Sequence, residues 1–282
     1  MKKEFKAKPG QLLPEILAIT LAGLLTYSLR ASSAQIEPIT IFPETAGGIT
    51  LNASIFVVLM AAAGTIMYLF IKFGFKRIVR YLIDLALIAL TLFLFIWYGS
   101  LYATSLPPIL ASDYSWLTVS VIATAVLGLA IFKSKGTLHL AAIVALGGLT
   151  GTFLGVSIPV LTAIVLLLAL AGYDLFAVYR GPIGKIAEST NLEDFTGAVF
   201  SYGDLTVGMG DMVFYSMLAS MSMMNFGPLP FLGAAIGLVV GAYLGFKMLE
   251  GRDMFPGLPF AIVLGLGIMF LVFEILSLTI PH

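Results

Sequence analysis

The sequence predicts an all-α membrane protein with nine transmembrane helices. Of its 282 residues, 60% are hydrophobic and only 11% are charged, whereas soluble domains carry about 25% charged residues. Nine apolar runs have the length that a helix needs to cross a bilayer, which is about 20 residues. They cover residues 12–29, 51–71, 82–98, 116–132, 138–156, 158–178, 209–226, 229–249 and 258–280.

Charged and helix-breaking residues separate these runs. Basic residues between Lys72 and Arg80 divide the second run from the third, and a pair of prolines follows the third. Only Ser157 and Pro159 mark the boundary between the fifth and sixth runs, which is the weakest of the series. The first run is too long for a cleavable signal and no small-residue cleavage site follows it, so we expect it to remain as a span.

The basic residues predict a cytoplasmic N-terminus and an external C-terminus. With nine spans in this orientation, 14 of the 15 Lys and Arg residues face the cytoplasm and Arg30 alone faces outside. Positively charged loops are retained on the cytoplasmic side of membrane proteins. The sequence therefore predicts a multi-pass protein of the cell membrane, in contact with the lipid bilayer.

Several chemistries are excluded by composition. The formal net charge is zero, so no basic surface indicates a nucleic-acid partner. The chain has no cysteine, which excludes disulfides, a thiol nucleophile and Cys-ligated metal. Its two histidines, His139 and His282, are far apart and fit no zinc-protease motif. We expect neither a metal nor another cofactor.

Five carboxylates fall within the predicted spans, where an ionisable residue is costly and indicates function. Glu15 and Asp84 lie near cytoplasmic span ends, and we expect each to be an interfacial carboxylate that is paired or hydrated. Glu274 lies near the outer end of the last span, where we expect a structural role. Asp174 closes the sixth span and Asp211 opens the seventh. Because these two spans are antiparallel, both aspartates are predicted at similar depth near the cytoplasmic face.

Short motifs surround the two aspartates. Tyr173 precedes Asp174, and Asp211 ends the tetrad Gly208-Met209-Gly210-Asp211. Glycines at these spacings allow another backbone to approach the carboxylate closely. A third motif, Pro256-Gly257-Leu258-Pro259, opens the ninth span.

These motifs resemble those of the intramembrane aspartyl proteases of the presenilin and signal peptide peptidase group, and most closely a microbial presenilin homologue. Glycine stands at position 257, where that family carries alanine in Pro-Ala-Leu. Presenilins place the N-terminus inside, in agreement with the charge distribution. The resemblance implies an aspartic endopeptidase that cleaves transmembrane helices of other membrane proteins, with Asp174 and Asp211 as the catalytic pair. No obligate partner subunit is evident.

The resemblance also indicates where a substrate would bind. Residues 201–207 alternate in polarity and are the best candidate for a strand that pairs with an unwound substrate, the mode called β-augmentation. Residues 1–156 are expected to form a five-span scaffold and residues 157–282 a catalytic four-span unit. The candidate substrate-binding residues are Tyr173, Leu205, Thr206, Val207, Gly208, Gly210, Pro256, Gly257 and Leu258.

Three other functions are compatible with these sequence features. An ion-coupled secondary transporter could use the two aspartates, and would be expected to have broken helices and repeat symmetry. A prepilin-type peptidase also uses Gly-x-Gly-Asp, although nine spans argue against it. A catalytically silent membrane scaffold is the third alternative. Two glycine series, 147–151–155 and 233–237–241–245, are predicted to serve close helix packing.

Overall fold

The computed structural model describes residues 6–32, 35–102, 113–179, 199–202, 205–250 and 255–279. Within this part of the chain there are nine long helices, and a 3-10 turn, Pro9–Leu12, precedes the first. The helices are α1 Leu13–Ala31, α2 Ala46–Lys72, α3 Lys76–Tyr102, α4 Asp113–Phe132, α5 Thr137–Ser157, α6 Val160–Tyr179, α7 Met209–Asn225, α8 Pro228–Leu249 and α9 Leu258–Thr279.

Each predicted apolar run coincides with one helix. Eight of the nine described helices are long and apolar enough to cross a membrane. The remaining one, α7, has 17 residues and a length of about 26 Å at 1.5 Å per residue. The boundary with the weakest sequence signal is confirmed, since α5 ends at Ser157 and α6 begins at Val160.

The prediction of an all-α protein is confirmed for the described residues, with one short hairpin that was not predicted. Strand β1 (Val199–Tyr202) pairs antiparallel with β2 (Leu205–Gly208), and β2 leads directly into α7. The predicted single strand over 201–207 is wrong, because its residues are divided between two strands. Tyr202 pairs with Leu205, so the chain reverses within the stretch whose alternating polarity suggested one continuous strand.

Helix α7 lies at the centre of the helix assembly. It packs against α1, α5, α6, α8 and α9, and residues 215–223 are all buried. Three of these are serines, Ser216, Ser220 and Ser222, which have no solvent exposure. A helix surrounded by protein is not required to present an apolar surface to lipid, which explains why α7 carries more polar residues than its neighbours.

Glycines set the spacing between α5 and α7. A Cβ atom added at Gly151 would lie 2.3 Å from Cβ of Ser216, and one at Gly155 would lie 2.4 Å from the carbonyl oxygen of Met217. Residue numbers increase together along this contact, so the two helices are parallel. The predicted packing role of this glycine series is confirmed.

A second glycine series holds α8 against α9. A Cβ atom at Gly237 would lie 2.4 Å from the carbonyl oxygen of Leu264, and one at Gly241 would lie 2.4 Å from Cα of Ala261. Along this contact the residue numbers of α8 increase while those of α9 decrease, so the two helices are antiparallel. The contact brings the first turn of α9 back to the side of the molecule where α7 begins.

Helix α1 runs parallel to α7 along its other face. Near the start of both helices, Ala18 and Met212 belong to one buried cluster. Near their ends, Nη1 of Arg30 donates a 3.0 Å hydrogen bond to the carbonyl oxygen of Met223. The first turns of α1, α7 and α9 and the last turns of α6 therefore lie on the same side of the helix assembly.

Candidate active site

Asp174 caps the beginning of α9. It lies five residues before the end of α6, and its Oδ2 accepts a 3.1 Å hydrogen bond from the backbone N–H of Leu258. Leu258 is the first residue of α9, where N–H groups have no acceptor within the helix. The positive end of the helix dipole also favours a carboxylate at this position. Local helix physics therefore accounts for the contact between Asp174 and α9.

Asp211 occupies the space beside Gly257. It is the third residue of α7, and its Oδ2 lies 2.7 Å from the position that a Cβ atom would take at Gly257. Alanine at this position would place its methyl group against the carboxyl group. Glycine instead of the alanine of the Pro-Ala-Leu motif therefore has a direct structural consequence, because it leaves the space in which the Asp211 carboxyl group lies.

The two aspartates meet at consecutive residues of the same segment. Asp174 contacts Leu258, Asp211 contacts Gly257, and the two carboxyl groups interact electrostatically. Both side chains are partly buried. The structure thus brings together the predicted pair and the predicted motif of the ninth span, although they are separated by up to 84 residues in sequence.

Tyr215 is a member of this site that the sequence interpretation missed. It is only 2% exposed, and its hydroxyl group donates a 3.1 Å hydrogen bond to the carbonyl oxygen of Gly257. Tyr215 follows Asp211 by four residues, so the two side chains share one face of α7. That spacing is the signal that would have identified it.

Glu15 departs most from expectation. The sequence predicted an interfacial carboxylate that is paired or hydrated, but Glu15 is 1% exposed and neither of its oxygens has a hydrogen-bond partner among the described residues. It also interacts electrostatically with Asp211. The prediction is wrong because α1 packs against α5, α7 and α8, which cover its first turn from solvent.

The backbone of β2 has one edge directed away from β1. Tyr202 pairs with Leu205, and two residues separate them in the chain. In a hairpin of this length, the two residues that flank the loop form a hydrogen-bonded pair, in which each directs its N–H and C=O toward the other. Bonded and non-bonded pairs alternate along antiparallel strands. Thr206 therefore directs its N–H and C=O away from β1, and Val207 directs its own toward Phe200. In the described part of the chain, this outer edge is unpaired.

The remaining predicted residues lie around this centre in different settings. Pro256 and Leu258 are buried at the start of α9. Tyr173 is partly exposed and points toward α2, with its hydroxyl oxygen 3.7 Å from the position of a Cβ atom on Gly64. The structure does not show the close backbone approach that was expected at Gly208 and Gly210, where an added Cβ atom would have no described neighbour nearer than 4.0 Å.

A metal centre is not built from the residues that the structure describes. Among them, no group of three or more His, Cys, Asp and Glu side chains is placed to hold a metal ion. His139 contacts the carbonyl oxygen of Ile131 through Nδ1 at 2.8 Å and joins the end of α4 to the start of α5. The absence of a metal and of other cofactors stays a prediction.

Two solved structures of presenilin family intramembrane aspartate proteases share this fold. One, in the C222 space group, is 20% identical in sequence, covers 96% of this chain and 98% of its own chain, and has a TM-score of 0.64. The other, in the P2 space group, is 24% identical, covers 95% and 97% of the respective chains, and also has a TM-score of 0.64. No protein-family model and no curated protein sequence matches. The chain is a multi-pass integral membrane protein with the fold of the presenilin family intramembrane aspartate proteases.

Proposed function

We propose that this chain is an intramembrane aspartic endopeptidase in which Asp174 and Asp211 form the catalytic pair. The observation that supports it is their convergence on Gly257 and Leu258, which brings two carboxyl groups from separate helices to one segment. The fold likeness to presenilin family proteases favours the same chemistry. Tyr215 holds the backbone of that segment through Gly257.

The two carboxyl groups would act in different protonation states. Two like charges in close proximity resist ionising together, so the pair shares one proton. The ionised carboxylate removes a proton from water, which attacks the scissile carbonyl carbon, while the neutral partner donates its proton to the carbonyl oxygen. Breakdown of the tetrahedral intermediate transfers a proton to the leaving amine and returns the pair to its starting state. The pair is one titrating unit, and neither aspartate is assigned a fixed role.

The substrate we propose is a transmembrane helix of another membrane protein. A peptide bond in a helix is shielded, so the segment to be cleaved must unwind, and its exposed polar groups must then be satisfied inside the membrane. The outer edge of β2 offers the N–H and C=O of Thr206 for this purpose. Leu205, Val207, Gly208 and Gly210 complete the proposed binding strand and its junction with α7, and Tyr173, Pro256, Gly257 and Leu258 flank it.

We further propose that nine helices span the membrane, with the N-terminus in the cytoplasm and the C-terminus outside. This topology counts α7 as a span, although it is short, because α7 is enclosed by five other helices. It places the first turns of α1, α7 and α9 on the cytoplasmic side together with the last turns of α6. His282, predicted to face outward, lies outside the described residues. The catalytic unit remains the proposed division 157–282, with 1–156 as scaffold.

The ion-coupled transporter has less support. That alternative predicted interrupted helices, and the nine helices that the structure describes run without a break. No observation in the described residues favours transport over proteolysis.

The experiment that tests the proposal uses the purified chain in detergent with a model transmembrane peptide. Wild type should cleave the peptide, and Asp174→Ala and Asp211→Ala should each give less than about a tenth of its rate while remaining folded. Cleavage by the purified chain would also support the prediction that no partner subunit is required. Equal cleavage by wild type and both variants would contradict the proposal.

A further inference from the structure

Glu15 lies within about one helical turn of the level of Asp211 on a neighbouring, parallel helix. Each is the third residue of its helix, Glu15 in α1 and Asp211 in α7. The two helices stay in register along their length, as the Ala18–Met212 cluster and the Arg30–Met223 hydrogen bond show. The packing of α1 against α7 therefore places a third buried carboxyl group within about one helical turn of the proposed active site.

The surroundings of Glu15 provide no compensation for a negative charge. Its side chain is buried, and the cluster beside it consists of apolar side chains from α1, α5 and α7, among them Ala18, Ile143 and Met212. An ionised carboxylate without hydrogen bonds in such a place is strongly disfavoured. Its neutral form is the one that these surroundings accommodate.

Seven titratable or charged residues lie on the elements that pack against the first turns of α1. These are Lys8 in the segment before α1, His139 on α5, Asp211 and Tyr215 on α7, and Tyr243, Lys247 and Glu250 on α8. None of them is hydrogen-bonded to the Glu15 carboxyl oxygens. Asp211 and Tyr215 lie within electrostatic range of Glu15 and also of Asp174.

We propose that Glu15, Asp174 and Asp211 form an electrostatically coupled cluster in which Glu15 is a positioning residue that keeps the catalytic proton on the aspartate pair as the pH rises. The inference rests on the proposed function for its catalytic consequence. In the active form that we propose, the cluster holds two protons and one negative charge: one proton on Glu15 and one shared by the aspartates. When the next proton leaves, it can leave from Glu15, and the aspartate pair then keeps its own and stays active. The negative charge left on Glu15 further disfavours ionisation of the pair.

The first test compares the pH dependence of kcat/KM in wild type and in Glu15→Gln, which has the same shape but no proton to lose. We expect the midpoint of the alkaline decline to fall by about half a pH unit or more, because the next proton must now leave the aspartate pair. The matched control is Glu274→Gln, the same chemical change in α9 at an exposed position, which should leave the midpoint unchanged. An unchanged midpoint in Glu15→Gln would overturn the proposal.

A folding defect is separated from this effect by a second variant. Glu15→Asp keeps a group that binds a proton and should keep the wild-type alkaline midpoint. If Glu15→Gln and Glu15→Asp lose activity equally at every pH, Glu15 acts through packing alone and the proposal is wrong. Thermal unfolding of both variants shows whether such a loss reflects unfolding.

The second test does not depend on proteolysis. Infrared spectroscopy detects the carbonyl stretch of a protonated carboxylic acid, and wild type at pH 7 should show a signal that Glu15→Gln lacks. In the double variant Asp174→Asn/Asp211→Asn the titration midpoint of that signal should move to lower pH, because the negative charge that the aspartate pair carries has been removed. A signal that is absent at pH 7, or a midpoint that does not move, would overturn the cluster even if the protein proves to be no protease. If the infrared results hold and wild type cleaves nothing, the proposed function fails and the cluster stands.

Discussion

The backbone N–H of Leu258 donates a hydrogen bond to Oδ2 of Asp174 over 3.1 Å, and this bond joins α9 to α6. The residue before Leu258 is Gly257, whose missing side chain leaves space for the carboxyl group of Asp211. One dipeptide at the start of α9 thus contacts both aspartates. The position of that dipeptide decides whether the two carboxyl groups are held together.

Alanine at Gly257 should therefore impair cleavage more than folding. Its methyl group would lie 2.7 Å from Oδ2 of Asp211 and would displace the carboxyl group from its place beside Asp174. We expect Gly257→Ala to lower the cleavage rate by about tenfold, since displacement of a catalytic group by a fraction of an ångström is costly. Gly267→Ala is the matched control in the same helix, because a Cβ atom there meets nothing within 4 Å. A wild-type rate in Gly257→Ala would show that Asp211 can move without loss.

Proline at Thr206 tests whether the outer edge of β2 binds substrate. Thr206→Pro removes an N–H that points away from β1, so the β1–β2 pairing should survive while cleavage falls by at least about tenfold. Thr206→Ala keeps the N–H and should have a mild effect. If both substitutions lower the rate equally, the side chain and not the strand edge is important.

Proline at Val207 provides the complementary measurement. The N–H of Val207 points toward Phe200, so Val207→Pro should weaken the β1–β2 pairing itself. We expect faster backbone amide exchange of β1 in Val207→Pro than in Thr206→Pro. The reverse order would show that the two edges of β2 have been assigned the wrong way round.

Cleavage should depend on pH with a maximum. One carboxyl group must be ionised and the other protonated, so activity should fall as the pair gains a second proton at low pH and as it loses its only proton at high pH. Initial rates with the model peptide across about pH 4 to pH 9 would show both limbs. A flat profile over that range would contradict a mechanism based on two carboxyl groups.

The glycine contact between α8 and α9 should control stability. A Cβ atom at Gly237 would lie 2.4 Å from a backbone carbonyl oxygen, which cannot move without shifting α9. We expect Gly237→Ala to lower the free energy of unfolding by about 1–3 kcal/mol, the usual cost of overpacking. Gly128→Ala, where the added Cβ atom has open space, should change it little. Equal stability of the two variants in detergent would contradict this account.

The orientation in the membrane is testable because the chain has no cysteine. A single cysteine introduced by Lys135→Cys should be labelled by a membrane-impermeant thiol reagent only from the cytoplasmic side. Labelling from outside would reverse the topology and the direction from which a substrate enters.

The helices could be predicted from sequence because each depends on a local property. A bilayer requires about 20 apolar residues in succession, and each such run became one described helix, even at the weak boundary near Ser157. The glycine series could likewise be interpreted from their four-residue spacing, since that spacing places them on one helix face.

Features that depend on distant contacts could not be predicted in this way. The burial of Glu15 results from packing between α1 and α7, which are almost 200 residues apart, and nothing near residue 15 indicates it. The reversal between Tyr202 and Leu205 was missed because alternating polarity is compatible with one strand or with two. The role of Gly257 could not be predicted because it depends on the position of Asp211, which is set by three helices together.

The position of α9 in the chain also determines when the two aspartates gain their contacts during synthesis. Leu258 and Gly257 are made after the other eight described helices, and before they appear Asp174 has no contact with α9 and Asp211 has none with Gly257. Because membrane helices enter the bilayer in order of translation, the earlier eight helices are in place while the site is still open. A nascent chain is therefore without its complete aspartate site until α9 inserts, and under the proposed function it could not cleave the translocation machinery or neighbouring membrane proteins before that point.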